Sequence, residues 1–252
     1  MYIDTHCHLS HEYYSDIDEV IKENKENKID KIIISGCEKN FLDETVELIN
    51  KYDSVYATIG FHPDQVDIVK DEDIEKLKQI ILSNKKIVGI GEIGLDYHYD
   101  KSKKEQQQQL FEKQLQVAQE LKIPVVIHTR DATMDTINIL KKYDLRGVIH
   151  CFSGSYEVAM TYINMGYKLG IGGVVTFKNS KLHEVVEKIS ISNILLETDS
   201  PYLTPEPFRG KTNSSKYIPI IAKKIAEIKK VSEEKLAKLI LNNTYEMFDL
   251  NK

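Results

Sequence analysis

Short runs of β-branched and other apolar residues alternate along this chain with longer stretches whose apolar positions recur at helical spacing. The runs predict strands over 2–5, 31–35, 55–60, 87–91, 124–127, 147–149, 167–171 and 193–197. Amphipathic stretches over 17–27, 42–52, 74–82, 104–121, 134–143, 158–165 and 182–189 lie between them, each long enough for one crossover. Strand–helix alternation with short connections predicts parallel strands and right-handed crossovers, and eight such units close into a (β/α)8 TIM barrel of the α/β class. The rival is an open doubly wound sheet, whose first strand-to-helix turn would carry a glycine fingerprint. Here that turn reads His6-Cys7-His8-Leu9-Ser10-His11. No Pro- or Gly-rich linker interrupts the chain, so a single domain over 1–252 is expected. Gln106 to Gln109 read as the solvated face of a long helix.

Composition narrows the function. With 252 residues, 41% hydrophobic and 29% charged, the chain can bury a full core. The 34 Lys and Arg against 39 Asp and Glu leave a net charge of -5, which excludes a protein that holds nucleic acid through bulk charge. The N-terminus has no basic, apolar leader, and no apolar run approaches the ~20 residues of a membrane span. A cytoplasmic protein without membrane contact is expected. Cys7, Cys37 and Cys151 are read as reduced thiols.

Histidines and acids fall where strands end: Asp4-Thr5-His6-Cys7-His8 after the first, Gly91-Glu92 after the fourth, His128-Thr129-Arg130 after the fifth, His150-Cys151 after the sixth, and Glu197-Thr198-Asp199 after the eighth. Alternation along a strand sends His6 and His8 one way and Cys7 the other. In a barrel these ends share one mouth, where barrel enzymes keep their sites. Imidazoles and carboxylates with few thiolates suit zinc, manganese or magnesium, and the groups are too many for one tetrahedral ion. Two divalent ions are the expected count, bridged by a carboxylate and acting on a hydrolytic displacement.

Asp4-Thr5-His6-Cys7-His8-Leu9, Gly60-Phe61-His62-Pro63, Gly91-Glu92-Ile93-Gly94-Leu95-Asp96-Tyr97, Pro124 to Arg130, His150-Cys151-Phe152-Ser153-Gly154, Glu197 to Leu203 and Asn243 to Phe248 together resemble the successive motifs of the TatD family, metal-dependent deoxyribonucleases of the amidohydrolase superfamily. The resemblance implies His6 and His8 on one metal, His128 and His150 on the other, Glu92 bridging, and Asp199 on the first metal beside the bound water. Two departures stand out. Ser214-Ser215 replace a usual Glu-Pro, with Ser suited to cap the next helix, and Asp64 adds a carboxylate after His62-Pro63.

The expected reaction is attack of a metal-activated water on phosphorus, with Asp199 taking the proton. Arg130, Lys178, Arg209 and Lys211 are the candidate phosphate-binding cations, and His62 is expected to face substrate. Asp96 and Asp4 are candidates to orient histidine ligands, whereas His11, His98 and His183 read as surface or loop residues. The acidic net charge favours DNA strand ends over long duplexes, hence 3'–5' exonuclease-like cleavage, with no obligate protein partner. Tyr97, Tyr99, Phe177, Tyr202 and Phe208 lie in expected mouth loops where each could stack a base. The same chemistry would serve a metal-dependent ester or amide hydrolase such as an aminoacyl-tRNA deacylase. A purely structural metal barrel fits less well, because structural sites close with four ligands.

Overall fold

Runs of β-branched residues form eight strands in the computed structural model, which describes residues 1–98 and 100–250. They are β1 (Tyr2–Cys7), β2 (Ile29–Gly36), β3 (Val55–Ile59), β4 (Ile87–Asp96), β5 (Val125–Arg130), β6 (Gly147–Ile149), β7 (Tyr167–Ile171) and β8 (Ile194–Leu196). Helices α1 (Ile17–Glu26), α2 (Leu42–Lys51), α3 (Asp71–Ser83), α4 (Lys104–Leu121), α5 (Thr133–Leu140), α6 (Tyr156–Asn164) and α7 (Leu182–Lys188) occupy the connections, and α8 (Ile218–Lys229) and α9 (Glu233–Met247) follow β8. The strands form one sheet in chain order, and a parallel bridge from Cys7 to Ser200 returns the eighth to the first, giving a (β/α)8 barrel. Among the described residues no helix is long and apolar enough to cross a membrane.

Contacts group the chain into two compact units, residues 1–34 with 151–247 and residues 35–150 with the C-terminal end from Phe248. In the first, β1 pairs with β2 and β7 with β8, in parallel, over a core that includes Ile3, Ile33, Leu169, Ile171, Leu195, Ile221 and Ile225. Its helix α1 starts where Asp16 accepts the amide of Glu19 at 2.9 Å, an N-cap. In the second, β3 to β6 pair in parallel over Ile59, Ile90, Ile93, Leu115, Val125 and Ile127.

β4 runs five residues past its expected end. The sequence Ile-Val-Gly-Ile-Gly-Glu-Ile-Gly-Leu-Asp is buried at every position but the last, as a strand covered on both faces must be. Its pairing with β5 continues because Gly94, at φ 147, lies opposite His128, where a Cβ would meet the His128 carbonyl oxygen at 2.0 Å. Only glycine allows that approach. His128 therefore sits within paired strands rather than in a loop, and Glu92 lies inside β4 where the register shifts between Ile90 and Ile93. Helix α3 starts at Asp71, ahead of its expected start, since Asp71, Glu72 and Asp73 favour a first turn and Asp73 accepts the Lys70 amide at 2.8 Å.

Gln107 does not lie on a solvated face. It is buried, as is Gln114, one heptad on and on the same side of α4. Each makes a reciprocal pair with one residue's backbone: Gln107 accepts from the Asp96 amide (2.9 Å) and donates to its carbonyl (2.8 Å), and Gln114 does the same to Phe61 (2.7 and 3.0 Å). Buried amides are tolerated because all four bonds are made. They hold the end of β4 and the residue before His62.

Candidate metal centre

Each compact unit carries its own group of imidazoles and carboxylates. In the first, His6 near the end of β1 and His8 just beyond it both face Asp199, while Cys7 between them faces Ile33. The Cys7 Sγ lies 3.7 Å from the Ile33 carbonyl oxygen, and burial, then the charge of Asp4, pushes the thiol well up from its ordinary range. The Nε2 atoms of His6 and His8 stand 3.6 and 3.5 Å from the same Asp199 oxygen, Oδ1. Nitrogen and oxygen ligands about 2.0–2.2 Å from one ion are themselves a little over 3 Å apart, close to each of these two separations from Asp199. Two backbone bonds join the segments that carry it, Asp199 N to the His6 carbonyl at 3.0 Å and His8 N to that of Ser200 at 2.7 Å. Asp199 itself holds a left-handed backbone, φ 54, a conformation that persists in a non-glycine residue when its surroundings impose it.

Those surroundings are Asp4 and Asn213. Fully buried Asp4 accepts from the Thr198 amide (3.0 Å) and hydroxyl (2.6 Å) and from the His6 amide (3.3 Å). Burial outweighs these bonds, and the Ser215 hydroxyl, in raising its carboxyl to about 7. Asn213 donates to the carbonyls of Thr198 (2.9 Å) and Tyr202 (2.5 Å). Asp4 was expected to orient a histidine ring; it instead grips the backbone of the Asp199 loop and of His6. Ser214 does not cap a helix: its side chain makes no capping bond, and α8 begins four residues later. Asn213 and Thr198 escaped the sequence reading, whose strand-end logic sees ligands and not the buried residues that hold them.

In the second unit, Glu92 Oε1 faces three imidazoles: His128 Nδ1 at 2.6 Å, His150 Nε2 at 3.0 Å and His62 Nε2 at 3.9 Å. Asp96 Oδ2 lies 3.2 Å from the other nitrogen of His128. Burial opposes charge on His128, but the bonds to Asp96 and Glu92 prevail and raise its pKa. The Asp96 carboxyl is held low, its own burial being outweighed by His128 and the His98 amide. Asp96 thus does orient a histidine, as expected. Glu92, His128 and His150 offer ligand atoms within 4.8 Å of one another, and so do His62, Asp96 and His128. His62 is therefore packed among candidate ligands, with its ring centroid 4.5 Å from that of His128, and its Nδ1 pairs with Asp64 at 3.0 Å.

The expected substrate residues divide. Arg130, Lys178 and Arg209 are exposed; Arg209 lies 4.1 Å above the Phe177 ring and Lys211 5.3 Å from that of Phe208. Tyr97, expected to offer a face to a base, is instead buried, its hydroxyl bonded to Asp135 and Gln108 and pushed up to about 12, first by burial. Phe208 already stacks on Tyr217. Tyr202 is open to solvent, and Tyr99 lies outside the described residues. His183 is not a surface residue: it is half-buried in α7 with Nε2 2.6 Å from the Val175 carbonyl oxygen. His98 is exposed and pairs with Asp131 at 3.0 Å.

A model of the TatD-related DNase family matches residues 3–249. An uncharacterized metal-dependent hydrolase of Bacillus subtilis, YabD, is 42% identical, with all of both chains covered. Among solved structures, the TatD homolog YjjV of Escherichia coli superposes with a TM-score of 0.93 at 31% identity, over 98% of each chain. A TatD-family hydrolase of Entamoeba histolytica gives 0.88 at 26% identity, over 98% of this chain and 97% of that one.

Proposed function

Since this chain belongs to the TatD family of metal-dependent hydrolases, we propose that it is a deoxyribonuclease that removes nucleotides from DNA strand ends, with 3'–5' polarity, in the cytoplasm and without an obligate protein partner. The proposal gives these ligands the roles that the family resemblance implies for them. His6, His8 and Asp199 would hold one divalent ion, His128 and His150 the other, and Glu92 would be shared. Such ions, zinc, manganese or magnesium, supply Lewis acidity and bring the pKa of water toward neutrality.

The chain's own residues do the rest. Asp199, whose Oδ1 faces two imidazole nitrogens and which is partly open to solvent, orients the attacking water and accepts its proton. Glu92, buried and facing imidazoles on one oxygen, is a holding group rather than a proton carrier. Arg130, Lys178 and Arg209, all exposed, meet the phosphate charge as it builds in the transition state. The net charge of -5 suits a short footprint on a strand end.

The single observation that carries the reading is the Asp199 oxygen standing about equally far from two histidines two residues apart in the chain, in a member of this family. The test is the purified chain with magnesium, manganese or zinc, offered end-labelled single-stranded DNA, matched RNA and an aminoacyl ester. Progressive shortening of DNA, stopped by chelator, is expected. Intact DNA beside a hydrolysed ester would overturn the nuclease reading in favour of acyl hydrolysis.

A further inference from the structure

Tyr202 is 51% exposed, and among the described residues no other tyrosine or phenylalanine is exposed. A lone exposed apolar side chain is ordinary, so its surroundings must carry the case. The ring is held edge-on by two others, His8 at 6.0 Å between centroids and 70°, and Tyr13 at 6.1 Å and 71°. Its hydroxyl donates to that of Tyr13 at 3.3 Å. Its backbone is fixed as well: the amide donates to the Asp199 carbonyl at 2.9 Å, and its carbonyl accepts from Asn213 at 2.5 Å. Asn213 is in turn held by the Tyr14 hydroxyl at 2.9 Å. A planar ligand settling on such a ring loses little conformational freedom.

Position adds a second constraint. Tyr202 borders His8, one of the two imidazoles facing Asp199. Among the described residues, the other aromatics expected to stack bases are already engaged: Tyr97 is buried, Phe208 lies against Tyr217, and Phe177 lies beneath Arg209. An acidic chain that cannot attract nucleic acid by bulk charge needs some other source of grip on the substrate. We infer that Tyr202, braced by Tyr13, is a stacking platform for the nucleobase attached to the phosphate at the His6–His8–Asp199 group. The inference rests on the nuclease reading and deepens it, for a stacked ring accepts every base and so predicts cleavage tolerant of sequence.

The test compares wild type, Tyr202→Ala and Tyr202→Phe on single strands carrying 2-aminopurine at one end or the other, and on the same strands ending in an abasic residue. In wild type, binding quenches the 2-aminopurine, and the base-ended strand is preferred over its abasic counterpart by about tenfold in KM. Tyr202→Phe, which keeps the ring, retains the quenching; Tyr202→Ala loses both the quenching and the preference. An alanine variant that keeps both overturns the platform. Cleavage of DNA without quenching in any form also overturns it while leaving the nuclease reading in place, and a wild-type chain that neither binds nor cuts DNA overturns both.

Discussion

The groups around Asp199 and Glu92 draw on the same two kinds of side chain and are built in opposite ways. Glu92 lies inside a paired strand, 4% exposed, with two imidazole nitrogens at hydrogen-bond distance, 2.6 and 3.0 Å. Asp199 is 14% exposed, sits on a loop in a left-handed conformation, and stands 3.5 and 3.6 Å from its histidines. A buried carboxylate surrounded by imidazoles is compensated and held, whereas a more open one on a braced loop can exchange a proton with water. Under the proposed function the difference would divide the work, with Glu92 anchoring and Asp199 reacting. It also locates what keeps each in place, strand pairing through Gly94 for the first and the side chains of Asp4 and Asn213 for the second.

Asp199→Asn strikes the reacting side alone. It should lower kcat by about 10²–10⁴-fold, the usual contribution of a positioned proton acceptor, while metal analysis finds ions still bound. A wild-type rate in that variant would end the distinction. Asp4 gives the next largest effect. Its folded pKa of about 7 lies above the ordinary 3.8, so its contribution to stability is complete below pH 4 and lost as pH rises to about 7. At 1.36 kcal/mol per unit this is at most about 4 kcal/mol. Thermal unfolding of wild type in chelator should fall relative to Asp4→Asn across that window and run parallel to it above. Parallel curves throughout would show that Asp4 is ionised when folded.

On the anchoring side, Gly94→Ala places a Cβ against the His128 carbonyl oxygen and should cost about 3 kcal/mol in urea unfolding. Equal stability would mean that the strands can part without harm. The smallest effect is expected of Gln107→Ala, which leaves the amide and carbonyl of Asp96 without their side-chain partner and should cost about 1–2 kcal/mol. Its KM and kcat should change more than those of an exposed control such as Gln106→Ala; identical kinetics would remove Gln107 from the support of β4.

Much of this is legible in the sequence, for a physical reason. β6, β7 and α4 lie over the spans expected of them, because short apolar runs between turn residues, and one long amphipathic stretch, have little else to become. The sequence makes β4 look shorter than it is, since Gly91 and Gly94 resemble turn signals, and only the close approach of the two backbones shows Gly94 to be the condition for pairing with His128 on β5. The histidines and acids were visible by type and by place at strand ends. Gln107, Gln114 and Asn213 were not, because a polar residue buried to satisfy distant backbone carries the same letter as one in water. Tyr97 was misplaced for the converse reason: its hydroxyl finds Asp135 and Gln108 inside the protein, and no local pattern records that.

The central claim is that these two groups hold divalent ions, with Glu92 common to both. Metal content per chain, measured on wild type and Glu92→Ala after loading and extensive dialysis, tests it most directly. The account predicts two ions in wild type and a clear loss in the variant. Two ions retained without Glu92, or none in wild type, would contradict it.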